Sequence, residues 1–371
     1  MAGFSFAAWG NDLHSGRRSY PVVPLRQRWF IIAGVLALAS IAIIGIRGLH
    51  LGIDFRGGTE ITVENTTTTE QGPALDVLRN DAGDTEPRVA AVGSDAIRIQ
   101  TGNLTDTQMA DVTAGLAQAY GVSDDQISVS EIGPTWGQGV STRAARGVAI
   151  FVVAAALFMA IYFRAWRMSV AAIVSMLADV LIAAGVYALI GWEVTPSTII
   201  GFLTILGFSL YDKMVVFDKV RENADGLFEQ NYATYAERAN LAVNQTLVRS
   251  INTSVVALLP VGAILFVGAL LLGAGTLRDL ALSLFVGIAV SAISSLFLAT
   301  PLEVYLRERE PAIKAHTAKV LAAREAGDSH ANNPADIGLV NAAAGSLNLA
   351  PGAHQGAAGQ PKRRSKAKRR K

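Results

Sequence analysis

The chain has 371 residues, 51% of them hydrophobic, and a mean hydropathy of +0.35, which is too apolar for an ordinary soluble enzyme. Its formal charge of +2 comes from one end: residues 362–371 carry eight basic residues and no acid, and the remainder sets 24 basic residues against 30 acidic ones. With no cysteine in the chain, disulfides, iron–sulfur clusters and thiolate metal sites are excluded.

Residues 1–28 are polar and become basic at Arg17, Arg18, Arg26 and Arg28; they read as an N-terminal arm. Residues 29–49 form an apolar run long enough to cross a bilayer, with Arg47 placed to snorkel at its far end. No cleavage site of small residues follows, so this run is expected to be a retained span. Residues 50–140 are mixed, opening with GIDFRGGTEITVE and continuing in the order β-α-β-β-α-β. That order predicts a small ferredoxin-like α+β domain, its second helix capped at Thr105 or Asp106. Five more spans are predicted at 143–163, 169–190, 197–217, 250–272 and 276–298, with an amphipathic loop over 218–249. The expected fold is therefore a six-span α-helical membrane protein with one α+β domain between the first two spans. Beyond Pro301 the chain becomes charged and then Ala/Gly-rich, and 315–371 is expected to be disordered.

Basic residues near the span ends set the orientation. They cluster in the N-terminal arm, at Arg164 and Arg167, at Lys219 and Arg221, at Arg249 and in the tail, whereas the linkers 191–195 and 273–276 contain none. Both termini and the 218–249 loop are therefore expected in the cytoplasm of a bacterial cell, with residues 50–140 outside the plasma membrane. The terminal KRRSKAKRRK can lie against anionic lipid, at about 1 kcal/mol per basic residue, or touch ribosomal RNA; a plain solvated tail is an equal alternative.

Asp212 is the main anomaly, a carboxylate arriving before the hydrophobicity of its span has ended. Inside a bilayer such a group costs about 3 kcal/mol or more and usually faces a bundle interior or a water path. The bland alternative is a solvated carboxylate near the interface. Arg249 begins the next span at similar depth, so the two can pair across neighbouring helices, and a carboxylate alternating between that pair and a protonated state would suit proton coupling. Asp179, mid-span, is either a packing acid hydrogen-bonded to a neighbour or a station on the proton route. Lys213, one residue from Asp212 and so on a different face, is expected to snorkel to the cytoplasmic surface. Ser209, Tyr211, Asn244, Asn252, Thr253, Ser254, Ser294 and Ser295, with Lys213 as the alternative to its snorkelling, are candidates to line a wet interior. There is no nucleotide loop, no nucleophile elbow and no metal-binding or cofactor motif, and GIDFRGG lacks the Lys-Ser/Thr of a phosphate loop. No enzyme is expected.

Taken together, GIDFRGGT after the first span, GFSLYDKMVVFDKVREN leaving the fourth, NQTLVRSINTS at the fifth and SSLFLATPLE at the sixth resemble the SecD/SecF family of protein-export membrane subunits, within the resistance–nodulation–division superfamily. The resemblance covers about residues 20 to 305. It implies a subunit that works with SecD beside the SecYEG channel, using the proton-motive force to draw unfolded secretory chains outward after SecA has driven them in. It places the family's intramembrane Asp on Asp212, its Arg on Arg249, and its D-F-x-G-G turn on Asp54, Phe55, Gly57 and Gly58. Three departures stand out: Lys213 where Thr is usual, Ala178 for a frequent His, and Ile293 for a frequent Tyr. The alternatives are a proton-coupled small-molecule exporter of the same superfamily, for which a domain of about 90 residues leaves little room, and a translocon scaffold without coupling.

Overall fold

The computed structural model describes residues 6–83, 87–93, 95–269 and 275–326. Among them, six helical stretches are long and apolar enough to cross a membrane: Arg26–Arg47, Thr135–Phe163, Trp166–Ile190, Pro196–Glu229, Tyr235–Val267 and Leu277–Arg307. At 1.5 Å per residue, even the shortest spans about 33 Å.

Helix α1 (Phe6–His14) lies in the N-terminal arm and packs on a later helix, burying Leu13. Helix α2 (Arg26–Arg47) is the first span. It leads into strand β1 (His50–Leu51) and the single turn α3 (Ile53–Arg56). The α+β domain comprises β2 (Gly58–Val63), α4 (Gly72–Val77), β3 (Arg88–Val92), β4 (Ala96–Thr101), α5 (Asp106–Tyr120) and β5 (Ile127–Ile132). Its sheet is antiparallel throughout in the order β3-β4-β2-β5, with Ile61 opposite both Ile99 and Val129. Strand alternation sends Ile61, Val63, Ile97 and Ile99 to one face, where Val112, Leu116 and Tyr120 of α5 cover them. The Thr105 hydroxyl accepts from the Gln108 amide in a capping box that starts α5.

Pro134 opens helix α6 (Pro134–Phe163), where a missing N–H costs nothing. This second span therefore begins inside the stretch expected to belong to the domain. Helices α7 (Trp166–Ile190) and α8 (Pro196–Asn223) follow, joined through strand β6 (Glu193–Val194), which pairs in parallel with β1. Helix α9 (Tyr235–Ala263) opens on a Thr234–Glu237 capping box. The segment 218–249 is thus mostly helix, not loop, because apolar residues at helical spacing (Val216, Val220, Ala239, Ala242, Val243) keep both helices packed beyond their spans. Helix α10 (Gly275–Ser294) passes through a π turn at Ser295–Ala299 into α11 (Thr300–Arg307). Pro301 has no N–H for the carbonyl four residues back, which favours the altered turn. Helix α12 (Pro311–Glu325) occupies part of a segment expected to be disordered; Ile313, His316 and Val320 recur on one face and are buried. The expected 315–371 tail, with its basic end at 362–371, otherwise lies outside the described residues, as does much of the 273–276 linker.

Helix α8 packs against α7, α9 and α10. Close approach is set by glycine: a Cβ at Gly201 would overlap Ser283, one at Gly287 would overlap Ile205, and one at Gly185 would drive α7 into Ser40 of α2. Ion pairs gather the chain ends and two interhelical connections at one end of the bundle, with Arg26 on Glu308, Arg167 on Glu310 and Arg324 on Glu237. The α+β domain occupies the opposite end, tied through β1–β6 and through α3 against α6.

A candidate charged centre in the helix bundle

Helix α8 turns Thr198, Gly201, Phe202, Ile205, Ser209, Asp212, Lys213, Val216 and Phe217 inward, a three-to-four spacing that gives one buried stripe. Three consecutive members of that stripe, Ser209, Asp212 and Lys213, are polar. Helix α7 answers with Asp179, in a buried row with Met176 and Ala183.

Lys213 has no exposed side-chain surface, and its Nζ donates to Asp179 Oδ2 at 2.6 Å and to Ser209 Oγ at 2.6 Å. Ser209 in turn donates to the same Asp179 oxygen at 2.7 Å. These contacts close a triangle of cation, anion and hydroxyl in which Ser209 and Lys213, four residues apart, stand one above the other on α8. The expected snorkelling of Lys213 is therefore corrected. Its position does put it off the face of Asp212, but the neighbouring face points into the bundle, where Asp179 supplies the counter-charge. Desolvating two charges costs several kcal/mol per ion, and their attraction offsets this only with such short, multiple contacts.

Asp212 is 3% exposed. Its Oδ1 lies 3.5 Å from Ser250 Oγ on α9, and the Ser295 hydroxyl of the π turn is a second hydrogen-bonding neighbour. Asp212 Oδ2 and Asp179 Oδ1 are buried without a hydrogen-bond partner among the described residues, as are the hydroxyls of Ser291 and Ser294. Ser254, one turn on from Ser250, is buried and bonds back to its own helix. Four helices thus converge on a polar interior whose hydrogen-bonding capacity the described residues do not fill. A π turn at such a place is a recurrent mark of function.

The pair expected between Asp212 and Arg249 does not form. Arg249 is exposed, and Ser250 takes the inward position on α9. One residue is about 100° of helix, so a single step in register decides which side chain meets Asp212. The same step corrects two of the expected lining residues: Tyr211 is 47% exposed and Asn252 also faces outward.

Asp54, Phe55, Gly57 and Gly58 sit where the first span meets the domain. Phe55 is buried among Ala183, Tyr187, Val194 and Phe202, which seats the turn on α7 and α8. Gly57 and Gly58 have φ values of +79° and +143°, and a Cβ at Gly58 would lie 2.5 Å from the Thr101 carbonyl oxygen. Only glycine fits there without strain. Burial pushes the Asp54 carboxyl up from its ordinary value, and the nearby Glu60 adds to the effect.

Two features went unnoticed in the sequence. Ser250 is one, a small polar residue beside a more conspicuous arginine. Glu303 is the other: fully buried, it accepts from the Tyr235 hydroxyl at 2.5 Å, with Arg307 4.0 Å away. An acid within the apolar SSLFLATPLEVYL run was the available signal.

Comparison with known proteins gives a consistent picture. The family model for the C-terminal part of the protein export membrane protein SecD/SecF matches residues 112–309, and that for the SecD/SecF GG motif matches 42–64. The chain is 43% identical over 337 residues to the protein translocase subunit SecF of Streptomyces coelicolor, covering 90% of each. It is 42% identical over 325 residues to that of Mycobacterium tuberculosis, covering 85% of this chain and 73% of the relative. Among solved structures, the translocon-associated membrane protein SecDF of Thermus thermophilus matches with a TM-score of 0.69 at 30% identity, covering 79% of this chain. The match spans 39% of that longer chain.

Proposed function

The chain belongs to the SecD/SecF family of protein-export membrane proteins, a multi-pass subunit of protein export, and we propose that it couples proton movement to that export through Asp212. It works with SecD, which supplies the other half of the assembly, beside the SecYEG channel, and takes over unfolded secretory polypeptide that SecA has delivered. Both termini lie in the cytoplasm of the bacterial cell. The 50–140 segment, ferredoxin-like in its strand order, stands outside the plasma membrane. The clustering of the basic connections at the end of the bundle away from the α+β domain supports this orientation. The 362–371 tail faces the same cytoplasmic side, available to anionic lipid or the ribosome.

The observation that carries this reading is Asp212, a carboxylate buried between α8, α9 and the π turn, with one oxygen unpartnered among the described residues and the Ser250 and Ser295 hydroxyls as neighbours. Protonated, it is compatible with a closed, apolar bundle; ionised, it calls for water or a shift of the helices around it. Asp179 lies next along the route. Moving one charge through 100 mV supplies about 2.3 kcal/mol, enough to move a two-state bundle from even to about 50 to 1. The shift reaches the outer domain through two rigid links, β1 on β6 and the Phe55–Gly58 turn on α7 and α8, and the domain grips or releases the emerging chain.

Asp212→Asn should abolish the part of export that depends on the proton gradient while leaving membrane insertion intact. Export that retains its full gradient dependence in this variant would remove Asp212 from the mechanism.

A further inference from the structure

We infer that Lys213, held by Asp179 and Ser209, is the fixed counter-charge of the proton site, so that Asp212 alone carries the exchangeable charge of the bundle. This rests on the proton-coupling reading above and names the group that tunes it. The argument begins with charge balance. The described part of the bundle's polar centre contains two carboxylates, Asp179 and Asp212, and one ammonium, Lys213, all buried. Two like charges in a dry interior disfavour each other's ionisation, and one cation between them relieves only one. The geometry says which: Nζ lies 2.6 Å from Asp179 and is held there by Ser209, with no hydrogen bond or ion pair to Asp212 among the described residues. Asp179 is therefore the neutralised partner, and Asp212 is left to take up and release the proton.

The remaining neighbours of Asp212 add no competing charge. From α9 it faces the hydroxyl of Ser250, from the π turn that of Ser295, from α7 the compensated Asp179, and on its own helix Lys213. Arg249 stands exposed outside this ring. Lys213 is covalently adjacent to Asp212, so any rotation of α8 that moves the proton site also pulls on the Asp179 contact. The pair thereby links α7, which ends at the β6 connection to the outer domain, to the protonation state of α8.

The test uses membrane vesicles carrying the chain with its export partners and reads gradient-dependent export as a function of pH. Lys213→Met leaves Asp179 as an uncompensated anion, so the bundle takes up its proton at higher pH. Asp179→Asn leaves the ammonium uncompensated and moves the profile lower. Each shift should be about tenfold or more in proton concentration. The double variant Asp179→Asn/Lys213→Met, neutral again, should return the midpoint towards the native one. Opposite shifts cancelled in the double variant are not produced by a packing role. Single variants that shift in the same direction, or not at all, overturn the assignment. Where a single variant does not accumulate, an infrared titration of the native protein against Asp212→Asn, with the aspartate carboxyls isotope-labelled to set buried Glu303 apart, decides: one fully buried aspartate should protonate natively and none in the variant. A fully buried aspartate that still titrates in Asp212→Asn means that Asp179 is not held ionised, and the inference falls. Unshifted single variants beside an inactive Asp212→Asn remove Lys213 only; an Asp212→Asn that exports normally removes the proton-coupling reading itself.

Discussion

The α+β domain and the helix bundle bury their interiors in opposite ways. The domain core is an apolar cluster, with Ile61, Val63, Leu78, Ile97, Ile99, Val112 and Leu116 at no exposure, and the Tyr120 hydroxyl at its edge donates to the Glu70 carbonyl at 2.7 Å. The bundle, whose outer surface is already apolar, hides two carboxylates and an ammonium at its centre and leaves several oxygens unpaired among the described residues. In water, apolar burial is what a small domain folds by. Between helices in lipid that drive is weak, and polar contacts and close packing take its place. The domain is therefore built chiefly for stability, whereas the bundle keeps costly groups that the proposed coupling would explain.

That contrast predicts which deletions hurt most. In the bundle, Lys213→Ala or Asp179→Ala strands a buried charge and should cost about 3–5 kcal/mol, whereas Asp179→Leu/Lys213→Met, which removes both, should be neutral or stabilising by about 1–4 kcal/mol. Thermal unfolding of the purified chain in detergent measures both, and a double variant less stable than either single one would make the pair a structural necessity. In the domain the rule inverts. Leu116→Ala should cost about 2–5 kcal/mol through the cavity it leaves, read as increased proteolysis confined to residues 50–132, with the bundle still intact.

How much of this was legible in the sequence follows from the physics of each signal. Spans and strand order rest on length and period, which sequence carries directly, and the run of elements from Thr59 to Ile132 emerged in the expected order. Direction within a helix does not. Lys213 points into the bundle rather than to the surface, and Arg249, Tyr211 and Asn252 face outward rather than inward, because the surroundings of a polar residue in an apolar helix are set by elements distant in sequence. Asp179 is such a distant partner for Lys213. No local period announces it. The helical continuations beyond the fourth and fifth spans were obscured for a different reason: charges at 218–222 ended the hydrophobic run without ending the amphipathic one.

A smaller effect is expected where the two regions meet. Gly58→Ala places a side chain at a φ of +143°, with its Cβ 2.5 Å from the Thr101 carbonyl oxygen. Strain of about 1–3 kcal/mol should result. The domain core and the charged centre would both survive, so the variant should fold and insert yet transmit poorly between them. Export that falls further than this modest loss of stability accounts for would sharpen the division of labour; unaltered export would show that the turn is not a link.

The smallest effect comes from Glu193, and its sign is fixed by burial. Its carboxyl lies between the domain and the bundle on β6, above Gly52, where a Cβ would come within 2.7 Å of Oε1. Burial pushes this carboxyl up from its ordinary value of 4.5; Gln100 and Arg98 oppose the rise, while Asp279 and Glu60 add to it. The docked junction therefore holds a proton more tightly than an undocked one. Its contribution to docking is fully present below the ordinary glutamate range and is lost as pH rises through the raised value. In the proposed orientation this junction faces the acidic side of the membrane, so an energised cell would favour docking. Hydrogen exchange at the Gly52 amide, which donates to the Val194 carbonyl at 2.9 Å, should quicken beyond its intrinsic pH trend across that window. Glu193→Gln should flatten the excess. A dependence that survives the substitution would move the titrating group to Asp54, whose carboxyl is raised by the same cause and which stands on the other side of the same turn.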